Sequence, residues 1–266
     1  MMHPTPQEAL AIEKFILNVT IPIFVETEGG AKLHAAGTLF EIAGRQFIIT
    51  ARHIFDDLPD LTKMAFPENP WKWKLYTLGS FQIAKPKQEH IDIAVMELQS
   101  EETIAKLKAN WKFLRMENVA LPSTASFDGV FFLSGYPTSL TKNATDEVPS
   151  MIVTAYTQRI SHDQIGEKYN ADPELDLFFE YGHTATSITG EEIETPKLQG
   201  LSGASVWEYK PKTSTIWAPE SNTRVVGVQS HYRHSECFLA KNWWAVAKAL
   251  EMIDYQLAKA VRSELH

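Results

Sequence analysis

Short apolar segments, separated by Gly, Pro or Asp residues, make up most of the chain. Their β-branched and aromatic residues, partly in alternation with polar ones, are typical of antiparallel strands. The first group predicts enough strands for one antiparallel barrel. It comprises residues 19–26 (VTIPIFVE), 35–42 (AAGTLFEI), 45–50 (RQFIIT), 73–78 (WKLYTL) and 91–98 (IDIAVMEL).

A second group of similar segments follows after a gap of about thirty residues. It predicts a second barrel, so that the chain has two β-rich halves of comparable size. The group comprises residues 128–135 (DGVFFLSG), 150–160 (SMIVTAYTQRI), 175–181 (LDLFFEY), 204–209 (ASVWEY), 223–230 (TRVVGVQS) and 236–240 (ECFLA).

Helical patterns occur at both ends of the chain and between the two groups of strands. A short helix is predicted over residues 6–17, and residues 100–111 have helix-forming composition after Ser100 as N-cap. From Lys241 onward, apolar residues recur at helical spacing. We therefore divide one domain into four parts. They are the N-terminal helix with the first barrel (1–110), a connection (111–126), the second barrel (127–240) and a C-terminal helix (241–266).

Charge and cysteine content narrow the class of protein. The net charge of −8 repels phosphate backbones and anionic lipids, so we expect no nucleic-acid or membrane partner. Cys237 is the only cysteine, which excludes an intrachain disulfide and favours a reducing compartment. The sequence has neither a signal-peptide pattern nor 18 successive apolar residues. We therefore expect a soluble, cytoplasmic protein.

A serine flanked by glycines is the first candidate catalytic residue. Ser202 lies in residues 199–206 (QGLSGASV), where Gly200 and Gly203 permit a sharp turn. Such a turn lets the N–H groups of Gly200 and Ser202 converge near the serine hydroxyl, which is the arrangement that an oxyanion hole requires. Similar turns are common in β-proteins, so this one alone is more often structural.

A histidine and an aspartate complete the candidate chemistry. His53 follows the apolar segment 44–52, and Asp92 lies near the start of the segment 91–98. A buried carboxylate must be paired or hydrogen-bonded, and an imidazole beside it can take a proton from a serine. Taken singly, His53 is more often a solvated histidine at a strand end, and Asp92 is equally compatible with a strand-edge residue facing water.

Taken together, the three segments resemble the bacterial branch of the trypsin/chymotrypsin family. In that family the histidine follows a strand as Thr-Ala-x-His, the aspartate opens an Asp-x-Ala-x strand, and the nucleophile lies in Gly-x-Ser-Gly, in that chain order. Residues 50–53, 92–95 and 200–203 match these motifs. Residues 135–137 (GYP) and 225–230 (VVGVQS) add to the similarity.

The resemblance implies an all-β fold of two antiparallel six-stranded barrels, with a short N-terminal helix and a C-terminal helix. It also implies a serine endopeptidase in which His53 is general base and then general acid, while Asp92 fixes the histidine tautomer. Ser202 would attack the scissile carbonyl, and the N–H groups of Gly200 and Ser202 would form the oxyanion hole. The implied partner is a protein or peptide substrate, without a cofactor.

The resemblance also suggests where the substrate binds. It places Ser230 near the Asp92 carboxylate, and His231 and Tyr232 beside the substrate. Lys197, in the pocket-wall loop 187–198, lies near the position that often sets the preferred side chain, but we predict no preference. His231 and His234 lack the further ligand spacing of a metal site, so we expect no metal.

Three departures from the family leave a second interpretation open. Residues 203–205 are Gly-Ala-Ser rather than Gly-Gly-Pro or Gly-Ser-Pro, and the sequence has neither the disulfides nor the activating N-terminus of extracellular relatives. The alternative is a latent or inactive protease-fold module that senses or binds a regulatory partner. Loops 138–150 and 161–174 are the predicted places for such control.

Overall fold

The computed structural model consists mainly of two antiparallel β-sheets, each formed by one half of the chain. It describes residues 3–56, 58, 60–121, 128–140, 153–165, 169, 171–186, 191–211, 217–233 and 236–266. The first sheet has the order β5-β4-β1-β2-β3-β7-β6. Its strands are β1 (Thr20–Thr27), β2 (Gly30–Ile42), β3 (Arg45–Thr50), β4 (Met64–Asn69), β5 (Lys72–Thr77), β6 (Phe81–Ala84) and β7 (Ala94–Leu98).

The sequence pattern does not predict two strands of this sheet, and a third strand is shorter than predicted. Strand β4 contains Pro67, which cannot donate a ladder hydrogen bond, and β6 has only four residues. Strand β7 begins at Ala94 instead of Ile91. Asp92 therefore lies in the loop before the strand. The alternation of side chains between the two faces of the sheet does not set the direction of its carboxylate.

The second sheet has the order β10-β11-β16-β15-β14-β8-β9. The predicted strand 150–160 is interrupted at Gln158, so that β9 and β10 lie at opposite edges of the sheet. A separate hairpin is formed by β12 and β13. The strands are β8 (Val130–Gly135), β9 (Val153–Thr157), β10 (Arg159–Ile160), β11 (Asp176–Glu180), β12 (Thr184–Thr186), β13 (Glu192–Glu194), β14 (Ser205–Tyr209), β15 (Thr223–Arg233) and β16 (Cys237–Asn242).

Side-chain caps define where the principal helices begin. The predicted N-terminal and connecting helices are both present: Thr5 and Glu8 form a capping box, and the hydroxyl of Ser100 accepts from the N–H of Thr103. The C-terminal segment differs from the single helix predicted, because Asp254 caps a second helix after a turn. The helices are α1 (Pro6–Leu17), α2 (Glu101–Asn110), α3 (His162–Ile165), α4 (Pro219–Asn222), α5 (Trp243–Leu250) and α6 (Tyr255–Glu264).

The terminal helices tie the two sheets into one core. Phe15 of α1 packs edge-on against Trp207 of the second sheet at 5.9 Å between ring centroids. Trp243 of α5 packs in the same manner against Phe40 of the first sheet at 4.8 Å. Each end of the chain therefore contacts the sheet formed by the other half. Among the described residues, no helix is long and apolar enough to span a membrane.

Candidate active site

His53 is placed by the end of strand β3. The buried segment Ile48–Ile49–Thr50 leads into a short 3₁₀ turn that begins at His53. The hydroxyl of Thr50 donates to the carbonyl of Ala36 at 2.7 Å, which holds the strand end against β2. The imidazole is about one-third exposed, so it is accessible while its backbone is fixed.

Asp92 binds both the backbone and the ring of His53. Its carboxylate is almost completely buried, with 3% of the side chain exposed. Oδ1 accepts from the backbone N–H of His53 at 2.9 Å, and Oδ2 lies 2.8 Å from Nδ1 of the ring. An ionised carboxylate can only accept hydrogen bonds, so Nδ1 carries the proton and Nε2 is left as an acceptor. Asp92 therefore fixes both the position and the tautomer of His53.

Ser202 completes a hydrogen-bonded series that runs between the two halves of the chain. Nε2 of His53 lies 3.1 Å from the hydroxyl oxygen of Ser202, within the range of an O–H···N hydrogen bond. His53 and Asp92 belong to the first half, whereas Ser202 lies in the turn before β14. The structure thus brings together the three residues that the sequence motifs singled out.

The turn that carries Ser202 is held between the two sheets. The carbonyl of Ser202 accepts from Ala36 N–H at 3.0 Å, and the N–H of Gly203 donates to the carbonyl of Gln229 at 2.9 Å. Ser205 then opens β14, where its hydroxyl lies 2.8 Å from that of Thr38. These contacts join the serine turn to β2 on one side and β15 on the other. The Ala-Ser pair after the turn is fully buried.

Two amides of this turn differ from their neighbours in hydrogen bonding. Within the described part of the chain, the N–H groups of Gly200 and Ser202 form no hydrogen bond, whereas Leu201 and Ala204 donate to carbonyls of the turn. Gly200 has a φ of 94°, and a Cβ there would lie 2.7 Å from the carbonyl oxygen of Tyr136. Glycine is therefore required both for the left-handed backbone and for the close approach.

Electrostatics favour an ionised aspartate beside an imidazole whose pKa is raised. Burial raises the pKa of Asp92, but hydrogen bonds from His231 and His53 and the charge of His53 outweigh it and bring the pKa well below its ordinary value. Burial lowers the pKa of His53, but the hydrogen bond and charge of Asp92 raise it above the ordinary value. The carboxylate therefore stabilises the protonated imidazole that forms when the histidine takes a proton.

The predicted substrate-binding residues fall into two places. Ser230, His231 and Tyr232 lie on β15, and Lys197 is an exposed residue of the segment between β13 and the serine turn. Ser230 is 2% exposed, and its hydroxyl donates to the carbonyl of Leu239 at 3.4 Å. Residues 187–190 of the predicted pocket wall lie outside the described residues.

His231 is a residue of β15 whose ring lies close to the Asp92 carboxylate. Its Nδ1 lies 3.3 Å from Oδ2 of Asp92, and its ring centroid is 5.4 Å from that of His53. This contact was not predictable from the sequence motifs, because nothing in them distinguishes His231 from a surface histidine. The register shift in β15 between Gln229 and His231 produces it.

His53, Asp92 and His231 also form a group that could hold a metal ion. Ligand atoms of the three residues lie within 4.8 Å of one another. A tetrahedral zinc ion with bonds of about 2.0 Å would separate its ligands by about 3.3 Å. The 2.8 Å between Nδ1 of His53 and Oδ2 of Asp92 is shorter than that and suits a direct hydrogen bond. The group therefore fits a hydrogen-bonded assembly better than a zinc site.

Comparison with known proteins adds no family to this description. No protein-family model matches the chain, and no curated protein shows significant similarity to it. The functional interpretation therefore depends on the arrangement of the side chains and on the motifs that carry them.

Proposed function

We propose that the chain is a serine endopeptidase with Ser202 as nucleophile, His53 as general base and acid, and Asp92 as the orienting carboxylate. The observation that supports this most strongly is the unbroken hydrogen-bonded series from Asp92 through His53 to Ser202, with successive distances of 2.8 and 3.1 Å. Such a series is the arrangement by which a serine hydroxyl is activated for acyl transfer.

The proposed reaction follows from the direction of these hydrogen bonds. Nε2 of His53 takes the hydroxyl proton while the oxygen of Ser202 forms a bond to the scissile carbonyl carbon. The imidazolium then gives that proton to the leaving amine as the C–N bond breaks, which leaves an acyl group on the serine. Water, deprotonated by the same Nε2, cleaves the ester and returns Ser202 to its starting form.

The free amides of the serine turn suit the negative charge that develops in this reaction. The N–H groups of Gly200 and Ser202 would donate to the carbonyl oxygen as it becomes an oxyanion. Removal of one such donor from an enzyme typically costs about 10²–10³-fold in turnover. Because backbone N–H groups are fixed by the turn, they need no reorganisation when the charge appears.

A fold of two chymotrypsin-like barrels is part of the proposal. In the second sheet, β9 and β10 lie at opposite edges, yet only Gln158 separates them in the chain. Its carbonyl accepts from the N–H of Glu180 in β11 at 3.0 Å. A sheet whose edges are joined by so short a connection must curl upon itself. We interpret each sheet as one such barrel, with the candidate site between them.

The proposed substrate is a protein or peptide, because the reaction cleaves an amide and requires no cofactor. We propose a reducing, cytoplasmic environment from the single cysteine, Cys237, which is buried. A regulatory protein partner is the corresponding proposal for a latent form. Residues 141–150, and residues 166–168 and 170, which belong to the predicted control loops, lie outside the described residues.

A fluorophosphonate probe tests the proposed nucleophile. We expect the protein to be labelled once per chain at Ser202, because the probe reacts with serines activated by a hydrogen-bonded base. Ser202→Ala should abolish labelling, and Ser205→Ala, three residues away and buried against Thr38, should retain it. Mass spectrometry of the intact and digested protein measures both. Equal labelling of wild type and Ser202→Ala would exclude Ser202 as nucleophile, and an unlabelled wild type would favour the latent or binding module.

The pH dependence of labelling tests the coupling between His53 and Asp92. The base acts only when neutral, so the rate should rise with pH through a pKa that lies above 6.5, the ordinary value for histidine. Asp92→Asn removes the charge that raises this pKa. We expect the midpoint to move to lower pH and the plateau rate to fall about 10⁴-fold. An unchanged midpoint in Asp92→Asn would contradict the coupling.

A further inference from the structure

The structure assigns to His231 a role beyond substrate contact: it is a positioning residue that donates its Nδ1–H to Asp92 and holds the carboxylate for His53. The inference rests on the proposed function, because Asp92 is needed in that place only if His53 acts as a base. The 3.3 Å between Nδ1 of His231 and Oδ2 of Asp92 carries it.

The direction of this contact follows from the state of the carboxylate. Asp92 is buried, and its low pKa keeps it ionised, so both of its oxygens can only accept hydrogen bonds. A lone pair on Nδ1 of His231, 3.3 Å from Oδ2, would face this negative charge, so electrostatics favour a proton on that nitrogen. With His53 already bound through its backbone N–H and its ring, His231 supplies the third donor to a charge that burial would otherwise destabilise.

A β-bulge explains why His231 faces Asp92. In a regular strand, Gln229 and His231 would lie on the same face. Here they are opposite Ala240 and Leu239, which are consecutive residues of β16, so Ser230 is an extra residue in β15. The two side chains consequently point to different environments: Gln229 is 1% exposed, whereas the side chain of His231 is 66% exposed.

The contact between His231 and Asp92 joins the two halves of the chain where the proposed reaction needs them in a fixed relative position. Asp92 belongs to the half that carries His53, and His231 lies on β15, whose Gln229 binds the serine turn through Gly203. His231 therefore links the carboxylate to the sheet that positions Ser202. A loss of this link should misplace the base relative to the nucleophile, which slows the chemical step.

Two variants separate the hydrogen bond from the bulk of the ring. His231→Phe keeps an aromatic ring without a donor, and His231→Asn keeps a nitrogen donor as far from Cβ as Nδ1. We expect the rate of labelling by a small fluorophosphonate without a peptide portion to fall about tenfold in His231→Phe and to stay within about threefold of wild type in His231→Asn. His90→Ala, an exposed histidine near Asp92, should match wild type.

A residue that only binds peptide would leave the rate with this small probe unchanged. Wild-type labelling in His231→Phe, or an equal loss in His231→Asn and His231→Phe, would therefore overturn the inference. ¹⁵N NMR of the imidazoles decides the hydrogen bond without reference to activity. Neutral His231 should carry its proton on Nδ1, and a proton on Nε2 would overturn the inference. Absence of labelling in the wild type would count against the proposed function alone, with the tautomer of His231 still decided by NMR.

Discussion

His53→Ala is expected to lower the rate of fluorophosphonate labelling and of peptide cleavage by about four to six orders of magnitude. The variant removes the only group that hydrogen-bonds the hydroxyl of Ser202 in the described part of the chain, and it removes one of the two imidazole rings that contact the Asp92 carboxylate. Without a base the hydroxyl is a weak nucleophile at neutral pH. Stopped-flow or long-incubation labelling, read by mass spectrometry, measures the change.

The fold should survive this substitution. The side chain of His53 is about one-third exposed and lies outside the hydrophobic clusters of both sheets. We expect the near-ultraviolet circular dichroism of His53→Ala to match that of wild type, and His90→Ala should retain both labelling and fold. A loss of tertiary signal in His53→Ala would instead mean that the histidine is structural, and a rate within tenfold of wild type would exclude it as the base.

Gly203→Ala is expected to destabilise the protein by about 3 kcal/mol or more and to slow labelling by about 100-fold. A Cβ at this position would lie 2.0 Å from the hydroxyl oxygen of Thr50 and 2.2 Å from the carbonyl oxygen of Ala36. Both neighbours belong to the first sheet, and Ala36 also binds the carbonyl of Ser202. Relief of the overlap must therefore move the serine turn away from His53.

Gly44 provides the matched control for this substitution. Both glycines have positive φ, 78° at Gly44 and 88° at Gly203, so alanine carries a similar backbone cost at each. A Cβ at Gly44 would meet no atom within 4 Å. Gly44→Ala should cost only about 1 kcal/mol and leave labelling unchanged. Urea unfolding gives the free energies of unfolding. Equal losses of stability in the two variants would mean that the overlap of the added Cβ at Gly203 does not cause the destabilisation.

Much of the fold is encoded locally and is visible in the sequence. The runs of β-branched and aromatic residues in strands such as β3 and β15, and the caps Thr5 and Ser100, mark elements that the structure contains. The two strands that the sequence did not predict can also be explained. Strand β4 contains a proline, and β6 is too short to show a period. Pairing across the sheet stabilises both, and no pattern within one segment reports that pairing.

The sequence by itself singled out His53, Asp92 and Ser202 as candidates, because the small residues around each are visible in local segments and their chain order matches the family that the motifs resemble. Only the tertiary structure decided how they meet, since the 2.8 Å contact joins two separate segments of the first half and the 3.1 Å contact joins that half to the second. It also decided that Nδ1 of His231 lies 3.3 Å from the Asp92 carboxylate. That contact depends on one extra residue in β15, which reverses the face of every side chain beyond it. Register of this kind is a property of paired strands, so no single segment can reveal it.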